Sequence, residues 1–153
     1  MTKVTKAQKF RQSSFGFLIQ LLSRRIEARM KAQLAEIDLD IKMFSNLMML
    51  REGDGITQRQ LAKLVDFPEY STSRNVDALE NAGLVERRRD PNSRRTHLIY
   101  FTPAGKKKAD LLPAMIEANN KETLEDLSDA EIEKVIKLLH KAAKIPEEGD
   151  ANL

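Results

Sequence analysis

Between Thr57 and Phe101 the spacing of apolar residues changes once, at Gly83, and that change constrains the fold more than any other feature. Before it, Leu61, Leu64 and Val65, then Thr72, Val76 and Leu79, recur at the three- and four-residue spacing of helices with one inner face. After it, Leu84–Arg88 and Thr96–Phe101 are aliphatic, β-branched and aromatic runs that read as two strands. Punctuation marks each boundary. Thr57-Gln58-Arg59-Gln60 is a capping box, in which the Thr hydroxyl serves the amide of Gln60 and the Gln60 side chain reaches back. Asp66-Phe67-Pro68 turns the chain into a second helix, which runs to about Asn81 and stops at Gly83. Arg89–Arg95 reads as a turn-rich basic loop between the strands, and Thr102-Pro103 as a cap with proline at the first helical position.

The resulting order is helix, tight turn, helix, strand, basic loop, strand: a helix-turn-helix followed by a β-hairpin, or winged helix. The flanks are helical. Leu18, Leu22, Ile26, Met30 and Leu34 recur every four positions in a helix opening near Ser13 or Ser14, and Asp40 caps a helix from Ile41 to about Arg51. After Pro103 one long helix is expected, bent by Pro113. Lys106, Lys107 and Lys108 would then lie in its opening turn, where the helix dipole disfavours cations. Ser128-Asp129-Ala130-Glu131 is a second capping box, and its helix carries Ile132, Val135, Ile136, Leu139, Ala142 and Ala143 as an apolar stripe. Pro146 to Leu153 reads as a frayed end. The fold class expected is mainly α with a small β-hairpin wing, a winged helix-turn-helix flanked by N- and C-terminal helices. Within the single chain 1–153, residues 40–102 would form the winged-helix lobe, and 13–36 with 103–144 a helical lobe.

Composition narrows the chemistry. With no Cys among 153 residues there is no disulfide, thiolate metal site or thiol switch. The two histidines, His97 and His140, lie far apart, so no metal site is expected, and His97 reads as a packing residue on a wing strand. No nucleophile–base set or Gly-rich phosphate loop appears, so an enzyme is not expected, nor is a cofactor. The first fourteen residues lack the apolar core of a secretory leader and no apolar run is long enough to span a membrane, which predicts a cytoplasmic protein without a membrane partner. The net charge of +3 conceals a division: residues 1–31 carry +7, 32–56 carry −3, 57–108 carry +5 and 109–153 carry −6. Such asymmetry raises the question of a polyanionic partner without answering it, because a solvated charged face has the same composition.

The order of elements answers it better, since each part has a use on double-stranded DNA. The second helix fits the major groove, the N-terminus of the first offers free amides to phosphate, and an Arg-tipped hairpin reaches an adjacent minor groove. On that reading Tyr70, Ser71 and Arg74 are the candidate groove-facing residues of the recognition helix. Arg94 and Arg95 are the candidates of the wing, and Thr57 and Gln58 are capping residues compatible with a phosphate contact. Only some of Arg87, Arg88 and Arg89 should approach phosphate, because a strand alternates faces.

Residues 56–108 also resemble the winged-helix core of the MarR family of bacterial transcriptional regulators. The resemblance is carried by Ser73-Arg74, by Leu79-Glu80-Asn81-Ala82-Gly83-Leu84-Val85, and by Asp90-Pro91-Asn92-Ser93-Arg94-Arg95 followed by Thr102-Pro103-Ala104-Gly105. With the flanking helices it covers about residues 13–144. It implies a homodimer held by interlocking N- and C-terminal dimerisation helices (13–36 and 103–144) on a pseudo-palindromic operator, and a repressor role. The resemblance further implies that Arg95 is the wing-tip arginine, and places Arg74, Ser71 and Ser73 among the groove-facing residues. It also implies a small aromatic or anionic effector bound between the dimer and DNA lobes. Two positions depart from the family pattern: Ser93 stands where an Asp usually orients the tip arginine, so that Arg95 is either more mobile or steadied by Asp90, and Pro68 stands where the recognition helix usually has a Ser cap. A nonspecific architectural DNA-binding protein and a protein–protein adaptor of the same fold are the alternatives.

Overall fold

Five helix starts among the described residues are set by the side chain of the capping residue. In the computed structural model, which describes residues 5–145, Thr5 caps α1 (Lys6–Gln12) and Asp40 caps α3 (Ile41–Glu52). Thr57 caps α4 (Gln58–Leu64), Thr102 caps α6 (Pro103–Ala109) and Ser128 caps α8 (Asp129–Ala143). Between these lie α2 (Phe15–Ala35), α5 (Glu69–Asn81), α7 (Leu112–Thr123) and the strands β1 (Ile56–Thr57), β2 (Val85–Asp90) and β3 (Ser93–Phe101). The strands form an antiparallel sheet in the order β1-β3-β2. The architecture is thus mainly helical with a small sheet, as the spacing of apolar residues predicts.

The chain divides within α7 into two units, one ending at Asn119 and one beginning at Asn120. In the first unit Leu34, Leu47, Leu50, Leu61, Val76, Leu79, Val85, Ile99 and Leu112 are fully buried in one cluster. Met43, Met48, Met49 and Met115 pack partly buried against it, filling gaps as flexible thioethers do. Asn119, itself buried, donates from Nδ2 to the carbonyl of Ile26 at 2.9 Å, which ties α7 to α2. The second unit holds the end of α7 and the whole of α8, which has no buried residue.

Several expectations need correction. The helix opening near Ser14 does not stand alone: α1 precedes it, started by the capping box Thr5-Lys6-Ala7-Gln8, whose pattern was visible but lay in a run with few apolar residues. Leu64 is 50% exposed, and the inward positions of α4 are Leu61 and Ala62. The long helix after Pro103 is broken into α6 and α7. Pro113 has no amide to donate and its ring crowds the carbonyl four residues earlier, that of Ala109, so the helix stops there and restarts at Leu112. Lys106, Lys107 and Lys108 therefore sit in the last turn of α6, where the dipole favours cations, and their cost disappears. Residues 146–153, read as a frayed end, lie outside the described residues.

Candidate nucleic-acid interface

The two helices of the motif are joined by Val65–Pro68, and the recognition helix α5 buries Thr72, Val76 and Leu79 completely. Helical spacing then assigns the other faces. Tyr70 (69% exposed) and Arg74 point away from the core, as expected. Ser73 is half-buried on the flank shared with Asp77 and Glu80, the flank turned toward β2. Ser71 lies on the opposite flank with Asn75, lining two adjoining cavities of about 460 and 370 Å3. Lys42 and Asn75 also line both cavities, with Glu27 and Phe44 in one and Arg74 in the other. Tyr70 and Arg74 thus share the outward face, while Ser71 sits on its flank and meets Arg74 in the lining of one cavity. Pro68 occupies the N-cap of α5 with no side-chain bond, and its carbonyl accepts the amides of Ser71 at 3.0 Å and Thr72 at 3.1 Å.

At the start of α4, Thr57 Oγ1 accepts the Gln60 amide at 3.1 Å while Gln60 Oε1 accepts the Thr57 amide at 2.8 Å. Thr57 is also the last residue of β1, opposite Leu98, so one residue joins sheet and helix. Two residues are too short for a strand to be read from periodicity, which is why β1 was not foreseen. Gln58 Oε1 accepts a bond from Arg87 Nη2 at 3.4 Å. Gln58 is therefore tied into the interior side of the wing.

The wing holds the largest surprise. Arg87 donates to Asp77 Oδ1 at 2.6 Å and to Glu80 Oε2 at 2.5 Å, and its amide donates to Glu80 Oε1 at 3.1 Å. Partial burial by itself disfavours its charge, but the hydrogen bonds and charges of Asp77 and Glu80 outweigh that and hold the guanidinium protonated above its ordinary range. Arg87 is thus a buckle between β2 and α5. Arg88, on the other sheet face, pairs with Glu86 and lies over the Tyr100 ring, 4.5 Å from its centroid. Both cations thus have acidic partners within the protein.

Arg89, Arg94 and Arg95 are exposed and, among the described residues, have no ion-pair partner. The expected seven-residue loop is instead a tight turn at Pro91-Asn92, because the strands extend to Asp90 and from Ser93. Regular pairing runs from Val85↔Phe101 to Arg89↔His97 and then jumps to Asp90↔Ser93. Arg94, Arg95 and Thr96 consequently bulge from β3 with no residue opposite, which re-aims the two arginines outward. Ser93 Oγ and Thr96 Oγ1, 2.8 Å apart, close the base of the bulge. Asp90 accepts the Asn92 amide at 2.8 Å, so it steadies the turn and not Arg95. His97 is exposed opposite Arg89, contrary to the packing role expected of it.

Gly83 and Gly105 complete the scaffold. Gly83 (φ 70°) terminates α5 with its amide on the Glu80 carbonyl and that of Leu84 on the Leu79 carbonyl, a Schellman stop. Thr102 donates its hydroxyl to the Gly83 carbonyl at 2.6 Å, and Gly105 packs so close to the Leu84 carbonyl that a methyl group has no room.

A family model described as the MarR family matches residues 44–96. The uncharacterized HTH-type transcriptional regulator YcgE of Bacillus subtilis (strain 168) is 32% identical over 100 residues, 65% of either chain, so this chain spans just under two thirds of that curated relative. A probable transcriptional regulator from Pseudomonas aeruginosa of known structure is 25% identical, with a TM-score of 0.77 over 86% of this chain and 98% of its own. Over its winged-helix core the chain is similar to the MarR family. A further solved structure, a MarR family protein of Mycobacterium tuberculosis in complex with salicylic acid, shares the fold at 22% identity, with a TM-score of 0.69 over 85% of this chain and 96% of its own. The relatives that this chain resembles, in sequence and in fold, are transcriptional regulators, not enzymes. Among the described residues no three potential ligands cluster for a metal, and no helix is long and apolar enough to cross a membrane.

Proposed function

We propose that this chain is a sequence-specific, double-stranded DNA-binding regulator, a repressor that acts in the cytoplasm as a homodimer on a pseudo-palindromic operator. The observation that carries the reading is the division of charge on the motif: Arg87 and Arg88 are neutralised within the protein, whereas Arg74, Arg94 and Arg95 are exposed without acidic partners among the described residues. Tyr70 and Arg74 would face the major groove, with Ser73 at its edge, and the bulged Arg94 and Arg95 the minor groove. Amides at the start of α4, beside Thr57 and Gln58, would take phosphate. Ser71 would reach DNA only from the flank and serves better as part of the neighbouring cavities.

Exposed apolar residues supply the dimer argument. Phe10 (78% exposed), Phe15, Leu18, Ile19 and Leu22 line the N-terminal helices, and Ile136, Leu138 and Leu139 lie exposed on α8. Residues 13–36 and 103–144 would form the dimerisation lobe around these faces, and 40–102 the DNA-binding lobe. Two recognition helices could then read grooves roughly 34–36 Å apart. The effector reading rests on the two cavities beside α5, whose Lys42 and Asn75 suit a small aromatic acid, the ligand class held by the M. tuberculosis relative. Such a ligand would release DNA by favouring a lobe spacing the operator does not fit.

Selection of bound duplexes from a random DNA pool tests the reading. A palindromic consensus with half-sites one helical turn apart is the expected result. Retention of all sequences alike would favour the architectural alternative, and no retention at any salt concentration would reject DNA as the partner.

A further inference from the structure

We propose that the cross-strand pair Arg89–His97 is an additional phosphate-binding point, bridging the recognition helix and the wing tip. The inference rests on the DNA-binding reading and adds to it a site outside the helix and the bulge. Sheet alternation places Val85, Arg87 and Arg89 of β2 on one face with their partners Phe101, Ile99 and His97 of β3. That face is the one turned to the helices, since Arg87 bonds Asp77 and Glu80 of α5 and Gln58 of α4. Arg89 and His97 lie one step further out, roughly 6.6 Å along the strands, where the hairpin has passed beyond its buried residues. Both side chains are exposed and neither has a hydrogen-bond or ion-pair partner among the described residues.

The pairing is unfavourable unless something negative joins it. A guanidinium and an imidazole directly opposite each other repel when both are charged, and even a neutral imidazole gives the guanidinium no counter-charge. The acidic groups nearby are already committed: Asp77 and Glu80 to Arg87, Glu86 to Arg88, and Asp90 to the Asn92 amide. Arg95 and Arg94 beside it add positive charge. Two donors directly opposite each other on an exposed strand pair, on the sheet face that carries Arg87, suit a single phosphate oxygen pair of a backbone. A base edge suits them less, because strand residues at the hairpin's middle stand back from the groove floor.

Binding of the selected duplex and of a scrambled duplex of equal length, measured across salt concentration, tests this. Arg89→Ala should weaken both about tenfold and lower the log–log salt slope by about one, as loss of one phosphate contact does. His97→Ala should weaken both by a few-fold, Arg89→Lys should restore the slope, and Arg88→Ala should bind like the parent with melting temperatures alike. Parental affinity and slope in Arg89→Ala and His97→Ala, with Arg95→Ala still weakened, would overturn the phosphate point and leave the DNA reading intact. A loss confined to the selected duplex would overturn it too, by showing base readout. Failure of the parent chain to bind either duplex would sink both.

Discussion

At the scale of single residues, what decides a side chain's role is whether the protein already uses it. Arg87, Arg88 and Arg89 are adjacent and chemically identical, yet the first is held by two carboxylates, the second by Glu86 and Tyr100, and the third by nothing described. Arg87→Ala should accordingly cost on the order of 1–2 kcal/mol in urea unfolding, a figure discounted because Asp77 and Glu80 are about half exposed. Arg74→Ala should leave stability unchanged and cost about 1–3 kcal/mol of operator binding, with selectivity relaxed at one base position in a competition assay. Gly105→Ala should destabilise by about 1–3 kcal/mol, since the added methyl meets the Leu84 carbonyl, a backbone atom that cannot swing away. Thermal melts showing no loss would contradict the close packing of α6 on the Gly83 corner.

At the scale of elements, caps and interruptions place the functional surfaces. The capping box of α8 gives a pH-dependent prediction. Hydrogen bonds from the Ser128 side chain and backbone pull the Glu131 carboxyl below its ordinary 4.5, so the box stabilises α8 above that pH and is lost as pH falls below it. Circular dichroism should show helix content dropping on acidification, with Glu131→Gln removing that step while retaining a weaker cap. The break between α6 and α7 matters in the same way, because it turns a basic run from a strained helix opening into a favourable helix end.

At the scale of the whole molecule, the exposed apolar residues of α1 and α2, and separately those of α8, exceed what a monomer needs to show. If a second copy covers them, Leu22→Arg should shift light-scattering mass from dimer to monomer and make the melting temperature lower and independent of concentration. A parent chain that is monomeric at all concentrations would remove the two-fold argument for a palindromic operator.

The winged-helix order was legible because its signals are local. The Thr57 capping box, the Gly83 stop and the Thr102-Pro103 start each act within four residues, and the structure keeps all three. The recognition-helix face was legible for the same reason, since Arg74 follows from the phase of Thr72, Val76 and Leu79. Pairing across distance was not legible. Strand β1 exists only because Ile56 and Thr57 meet Ile99 and Leu98, forty-odd positions away, and the wing bulge only because pairing slips between Arg89 and Asp90. Local sequence thus determined the helix-turn-helix, the wing strands, their order and the resemblance to a family; which arginines are paired with carboxylates and which remain free was decided by tertiary structure alone, because a charge is neutralised by what lies beside it in space.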